Sequence, residues 1–512
     1  MAEYTFGANI LENLTTGMYK SSQVIFREYI QNACDAIDKA VALGILKDGA
    51  GKIEIWADAD KRLISIEDNG TGIPANEFEN TLQTIAQSDK QIDSEKGFRG
   101  IGRLCGLAYC RELIFSTTAR NENVISVMRI DAQKLRSRFY GKIKYTAQEV
   151  LDDVITVEKI FSDDIKNKHG FKVEMVDINA ENEVLLDTST IKNYLSFVAP
   201  VEYRNYFSFA SKIYEHVAAL SFKIDEYKVY LNGEQIVKKY KTDFKTSSGS
   251  DEIFDVSFRD FYDRNDNLIA WSWIGLSKFK GVIKSENIMR SVRLRKGNIQ
   301  IGDADTLQDL FSEERGIHYF IGEVFVVDNN LIPNSQRDYF VENAALRDFE
   351  DALKVYFDEL KKIYYRASEI NSAVKNVNSC KTAEEIFKNQ VFVSKNHKAA
   401  EEEKLNALRE KADNGSRKIK QRKREALENP ESILSRVTIR IIEKADDFHQ
   451  GAQIPLLPQE PKKNTDNAEK FFPNLNRKER KLVYGILDVI RENTDAVTFE
   501  DLQRKIIEAV NK

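Results

Sequence analysis

Glu28, Asn32 and Asp35 stand at i, i+4 and i+7, a spacing that lines three polar side chains along one stripe of a helix. The apolar Phe26, Ile30, Ala33 and Ile37 fall on the opposite side. Taken alone, such a stripe is also what a solvent-facing helix surface looks like. Two glycine clusters farther along change its meaning. In Asp68-Asn69-Gly70-Thr71-Gly72 a strand delivers a carboxylate to a turn with two glycines, and Gly97-Phe98-Arg99-Gly100-Ile101-Gly102 precedes a helical run. Glycines let backbone N–H groups approach an anion closely, and a helix N-terminus favours negative charge. A glycine cluster by itself is a weak signal. The helical Glu/Asn spacing, the Asp-x-Gly-x-Gly turn and a glycine-rich loop, in that order, are a specific one, and they point to anion binding beside carboxylates.

Hydrophobic periodicity predicts the carrier elements: a helix over about 21–43, then two strands at 52–57 and 62–68 joined by the turn DADK. A polar helical piece leads to the second glycine cluster, and strand candidates follow near 112, near 124 and up to 178. This order predicts an α+β fold with an α/β sandwich at the N-terminal end rather than a βαβ array. From about 185 to 365 a second α/β region carries KVYLNG near 228, AWSWIGL near 270, VRLRKGNIQI near 292 and GEVFVVD near 322. Residues 366–447 are charged and helical, and within them 398–428 carry runs such as EEEK and KIKQRKR that predict a solvated helix rather than a core. A linker over 448–475, rich in Pro, Gln, Lys and Asn, precedes a small helical unit at 476–512. Heptads are poorly sustained.

The chain has 512 residues, enough for about three or four domains. With 29 Phe and 20 Tyr against 8 Pro, collagen-like and wholly disordered chains are excluded. A net charge of −5 excludes a polycation built to coat nucleic acid, so any nucleic-acid surface must be local. No run of 18 apolar residues occurs, and the start of the chain lacks the pattern of a signal peptide. A cytoplasmic protein with no membrane contact is expected. Cys34, Cys105, Cys110 and Cys380 form no CxxC pair and read as buried reduced thiols. The histidines show no metal spacing, and Trp271 and Trp273 alternate so as to share one strand face.

Together the motifs resemble those of the GHKL ATPases, the superfamily of gyrase B, the ninety-kilodalton heat-shock chaperones, sensor kinases and MutL, and the chaperone branch most of all. YKSSQVIFREYIQNACDAIDK at 19–39 is similar to that branch's first catalytic helix, and TIAQS at 84–88 to its TIAKS lid stretch. GFRGIGRL at 97–104 stands where the family has its GxFGxGF loop, with a likeness to MutL's GFRG. The resemblance implies a Bergerat-type sandwich over 1–180, a middle domain over 185–365, and binding of ATP with Mg2+. In its terms Glu28 is the general base that polarises the attacking water. Asn32 is the Mg2+ ligand through its carbonyl oxygen, Asp68 accepts from the adenine amino group, and Gly72 lets the adenine pocket close. Gly97, Gly100 and Gly102 cradle the phosphates, Asp35, Gly70, Ser88, Arg99 and Ile101 complete the nucleotide contacts, and 75–96 form a lid.

The chain departs from the family in three respects: Phe171 in GFKV stands where the family has a threonine, Gln87 replaces the lid lysine, and the lid is short. Slow hydrolysis is therefore expected. In the second region, LIPNSQRD at 331–338 resembles the middle-domain loop LPLNISRE, whose arginine reaches the γ-phosphate, and this makes Arg337 the candidate coupling residue. A capping or salt-bridged surface arginine is the other reading of that position. Arg293, Arg295 and Lys296 are alternatives for the same task, and otherwise solvated strand-edge cations. The resemblance implies an ATP-gated, homodimeric, chaperone-like clamp acting on a protein client. Two alternatives stay open: a nucleic-acid clamp of MutL or MORC type, favoured by the basic run 417–424, and a nucleotide-sensing interaction protein in bacterial stress or phage defence. No histidine precedes the first helix, which disfavours a sensor kinase, and no strand-cleavage module of a gyrase is evident.

Overall fold

Phe26, Ile30, Ala33 and Ile37 are all buried along helix α1 (Val24–Ala42), as their spacing requires, and Ile25, Tyr29 and Ala40 widen that face. The helix ends at Gly44, whose φ of +67° lets its N–H turn back to Val41 O while the Leu43 N–H reaches Lys39 O. The computed structural model describes residues 12, 21–83, 102–139, 145–392, 394–451 and 496–510, with single positions between 472 and 490.

After α1 come β1 (Lys52–Asp58), β2 (Leu63–Asp68), the short α2 (Phe78–Gln83), β3 (Cys110–Thr118) and β4 (Val124–Asp131). They are followed by α3 (Ala132–Phe139), α4 (Ala147–Val154), β5 (Ile155–Phe161), β6 (Gly170–Ile178), α5 (Thr188–Val198), α6 (Ala210–Ala219), β7 (Lys228–Leu231) and β8 (Glu234–Gln235). The strands form one sheet in the order β5-β4-β3-β6-β2-β1-β7-β8, antiparallel except for the β1–β7 pair. Ile53, Ile55, Ile64, Ile66, Leu113 and Val173 share a core with the apolar face of α1. KVYLNG, expected in the second region, instead adds β7 to this first sheet. Leu185, Ile191, Leu195, Val229 and Leu231 accordingly lie in the first core. Edge strand β5 is not foreseen at all. Most of its side chains are exposed, and the alternation of Ile155-Thr156-Val157-Glu158 is broken by Lys159-Ile160-Phe161 before it is long enough to mark a half-buried strand.

The second region opens with the hairpin β9 (Asp243–Thr246) and β10 (Gly249–Glu252). A sheet in the order β11-β12-β15-β13-β14 is built from β11 (Asp255–Tyr262), β12 (Leu268–Leu276), β13 (Ser291–Lys296), β14 (Ile299–Ile301) and β15 (Ile321–Val326). Trp271 and Trp273 are both buried on one face of it, against Tyr203, Phe207, Tyr240 and Phe325. Ile274, Leu294 and Val324 on the other face pack with helix α7 (Ala344–Asn389).

Helix α7 crosses position 365 unbroken and still buries Ala367, Ile370 and Ala373, so the second region runs into the helical one through a single helix. It shares its core with Val437, Ile441 and Ile442 of α9 (Ile433–Gly451). Between them α8 (Lys395–Glu428) does match the expectation, with only Leu405, Gly415 and Ala426 buried. Met1–Glu443 form one compact unit, and Lys444–Lys512, with α10 (Ala496–Val510), a second. Most of the expected linker lies outside the described residues. All four cysteines are buried thiols with no disulfide among them. Among the described residues no helix is long and apolar enough to cross a membrane.

Candidate functional site

The polar stripe of α1 does not face solvent. Glu28 and Asp35 are each 7% exposed, and Asn32 is half-buried. Tyr29, next to Glu28, donates its hydroxyl to Arg103 O at 2.9 Å and accepts the Gly106 N–H at 3.1 Å. These bonds pin the 3-10 turn Gly102–Ala108 to the helix. The turn brings Gly102 against the carboxylate, since a Cβ there would lie 2.5 Å from Glu28 Oε2.

Strand β2 ends in buried Asp68, whose Oδ1 accepts the Gly70 N–H at 2.8 Å. Burial pushes its carboxyl up to about 7, against the opposing pull of the Gly70 and Phe171 N–H groups. The following turn leans on α1: Thr71 N–H reaches Ala36 O at 3.2 Å, and a Cβ at Gly70 would lie 2.6 Å from Ala36 Cβ. Gly72, with φ +66°, comes so near β3 that a Cβ would sit 2.0 Å from Thr118 O. Thr117 Oγ1 donates to Gly170 O at 2.7 Å and accepts the Ile73 N–H at 2.9 Å, which ties the turn to β3 and β6. Phe171 lies opposite Asp68 in the β2–β6 register, its ring 5.7 Å from that of Phe115. The stripe, the Asp68 turn and the end of the glycine loop thus come together around one side of α1.

The second region reaches the same helix. Loop 331–341 folds back on itself through Asn334 N–H to Tyr339 O (2.9 Å), Arg337 N–H to Asn334 O (3.1 Å) and Val341 N–H to Ile332 O (2.8 Å). Lys296 Nζ holds its start by Leu331 O at 2.7 Å and Asp328 O at 2.9 Å. Arg337 is buried rather than a surface arginine, at φ +53°. Its carbonyl accepts from Gly302 N–H at 2.8 Å and from Arg27 Nη1 at 3.3 Å, while Arg27 Nη2 donates to Gln336 O at 2.8 Å. The same Arg27 guanidinium lies 3.3 Å (Nη2) and 3.4 Å (Nε) from Glu28 Oε1. One arginine therefore touches both the carboxylate and the loop. The loop is engaged through its backbone.

Arg293 and Arg295 are not solvated edge cations, because β13 lies inside the sheet between β15 and β14. Arg295 pairs with Glu323 and donates to Asn298 O (2.8 Å) and to Phe197 O of α5 (2.5 Å). Lys238 Nζ joins them at 3.2 Å from Glu323 Oε2 and 2.8 Å from Asn298 Oδ1. Burial alone would raise Glu323, but the charges of Arg295 and Lys238 outweigh it and hold the carboxyl at about 2. Burial and the neighbouring Arg295 push Lys238 down to about 7.

Ser88, Gly97, Arg99, Gly100 and Ile101, with Gln87 and most of the expected lid, lie outside the described residues. Arg27 and Gln31 go unremarked in the sequence, and Gly170 enters it only as the first residue of GFKV, yet each carries a signal. A cation directly precedes Glu28, Gln31 falls on the polar stripe, and Gly170 opens the strand opposite Asp68. At φ +145°, a Cβ on Gly170 would lie 2.1 Å from Asp68 O.

Residues 19–164 match the family described as histidine kinase-, DNA gyrase B-, and HSP90-like ATPase. The chaperone protein HtpG of Wigglesworthia glossinidia brevipalpis is 26% identical over 351 residues, covering 64% of this chain and 49% of that protein. HtpG of Orientia tsutsugamushi is 24% identical over 355 residues, 65% of this chain and 48% of its own. A shorter stretch of 85 residues, 15% of this chain and 14% of the relative, is 39% identical to HtpG of Campylobacter jejuni subsp. doylei. The chain thus spans about half the length, or less, of the curated relatives it matches. With the carboxylate helix, the Asp68 turn and the glycine-rich segment all inside the matched span, residues 19–164 belong to the GHKL superfamily of ATPase domains, with their likeness on the side of the ninety-kilodalton heat-shock chaperones.

Proposed function

We propose that this chain binds ATP with Mg2+ beside α1 and hydrolyses it slowly, as an ATP-gated, dimeric, chaperone-like clamp. The observation that carries the reading is the Glu28 carboxylate, buried and set against a glycine that admits no side chain. Phosphoryl transfer asks mostly for positioning and charge stabilisation, so a fixed carboxylate within one water's reach of the γ-phosphate suffices. Asp68, at the end of β2, would accept from the adenine amino group. Glycines 97, 100 and 102 would cradle the phosphates, with Asp35, Gly70, Gly72, Ser88, Arg99 and Ile101 completing the site.

Mg2+ fits the donors available. Asn32 offers a hard amide oxygen beside two carboxylates, and among the described residues no group of three His, Cys, Asp or Glu forms a cage of its own. Such a site suits a cation that takes most of its oxygens from phosphate and water. Loop 331–341, held on α1 through Arg27, would make Arg337 the residue by which the second region senses nucleotide. Dimerisation through the C-terminal helices and a protein client complete the proposal.

The test is calorimetric titration of the full-length protein with ATP and Mg2+ alongside Asp68→Asn. Binding that weakens about tenfold or more in a folded Asp68→Asn supports the assignment. Equal binding by both proteins would remove Asp68 from the site.

One observation favours a second reading. Arg417, Lys420, Lys423 and Arg424 of α8 are exposed, and among the described residues none of them is in an ion pair, whereas Lys418 and Arg422 pair with Glu369. A nucleic-acid clamp would use those four cations. It predicts turnover stimulated by duplex DNA and lost as salt rises.

A further inference from the structure

Gln31 sits on α1 three residues after Glu28 and four after Arg27, and it is 1% exposed. Among the described residues neither its Nε2 nor its Oε1 meets a hydrogen-bond partner. A buried carboxamide with both ends unpaired has lost its water and regained nothing, which is costly. Its neighbours on the stripe are charged. Side chains four apart on a helix are adjacent, so Gln31 lies within reach of the Arg27 guanidinium one turn before it.

Arg27 divides its donors among Gln336 O at 2.8 Å, Arg337 O at 3.3 Å and Glu28 Oε1 at 3.3 and 3.4 Å. The bonds to Glu28 are at the long end for charged partners, so they are the ones easiest to exchange. A carboxylate paired with a guanidinium is a weaker base, so taking a proton from water is favoured once that pairing is loosened. Leaving that buried cation unpaired would itself be costly.

We propose that Gln31 is a positioning residue whose Oε1 is a second seat for the Arg27 guanidinium, occupied when Glu28 turns to the attacking water. Arg27 then keeps its hold on the 336–337 carbonyls throughout, and the base is released without stranding a buried charge. The orphaned amide of Gln31 is the unfilled half of that exchange. This inference rests on the hydrolysis reading above.

The test is a double-mutant cycle on the full-length protein, with turnover, ATP affinity and thermal midpoint read for each variant. Gln31→Leu keeps the volume and removes the acceptor. It is expected to leave the midpoint unchanged or raised, to keep ATP affinity within about twofold, and to lower kcat about tenfold. In an Arg27→Met background the same substitution should change kcat by less than about twofold, because no guanidinium remains to be reseated. Gln31→Glu retains an acceptor and should hold kcat within about threefold of the wild type. If Gln31→Leu does not fold, Gln31→Ala, which also removes the acceptor, takes its place in the cycle, with the same loss expected where Arg27 is present and the same silence in the Arg27→Met background.

Equal losses from Gln31→Leu in both backgrounds, or none in either, would overturn the inference. Turnover abolished by Glu28→Ala with no coupling between Gln31 and Arg27 would overturn it alone. ATP binding with no turnover in the wild type would overturn the hydrolysis reading, and this inference with it.

Discussion

Asp68 titrates within the range where nucleotide binding is usually measured. Its carboxyl is raised from 3.8 to about 7 because it is buried, so between those values the fold keeps a proton that the unfolded chain has lost. The sign follows from linkage: stability contributed by the protonated group is full below about 4 and is lost as pH rises through about 7. Asp68→Asn should flatten that stretch of the stability profile. Nucleotide affinity should move the other way, rising between about pH 6 and pH 8, because the ionised carboxylate is the better acceptor for an adenine amino group. Calorimetry at about pH 6 in two buffers of different ionisation enthalpy should register a proton released on binding. Affinity and heat independent of pH and buffer would contradict this. The types and spacing of Glu28, Asn32 and Asp68 were legible from the chain alone. Their burial was not, because a helical stripe reads the same whether it meets water or another layer. Nor was the partner of Arg27, which lies 310 positions away.

At the scale of elements, the apolar periodicity of α1 and the alternation of β1 and β2 were enough to place them. Strand β7 was legible as a strand but not as a neighbour of β1, because a short parallel pairing leaves no local mark. The charge of α8 was equally plain, while the hairpin it makes with α7 was hidden. That contact uses no large apolar residue at its closest point. Gly415 lies so near α7 that a Cβ would be 2.9 Å from Ala373 O. Gly415→Val should therefore lower stability by about 1–3 kcal/mol, although helix propensity alone favours it. Denaturant unfolding measures the loss, with ATP affinity unchanged. A stabilised Gly415→Val would show that the two helices do not depend on that approach.

At the scale of the whole molecule, α5 gives Ile191 and Leu195 to the first core and Phe197 to the core behind the second sheet. The carbonyl of Phe197 also takes a hydrogen bond from Arg295 of the buried Lys238–Glu323–Arg295 cluster. The first sheet and the second region are thus joined through fully buried charges rather than across a solvated hinge. Glu323→Gln would leave the buried Arg295 guanidinium without its counter-charge and should destabilise Met1–Glu443 by about 3–5 kcal/mol in denaturant unfolding. A loss below about 1 kcal/mol would mean that the cluster does not hold these layers together.

The central claim is that Glu28 serves ATP hydrolysis at a site built by α1, β2 and the turn at Gly102. It is tested most directly by steady-state turnover of ATP with Mg2+ by the full-length protein and by Glu28→Ala, with nucleotide binding measured for both. The account predicts turnover in the wild type that falls at least about a hundredfold in Glu28→Ala, with ATP affinity preserved. Turnover that survives the substitution, or a wild-type protein that does not bind ATP, would contradict it.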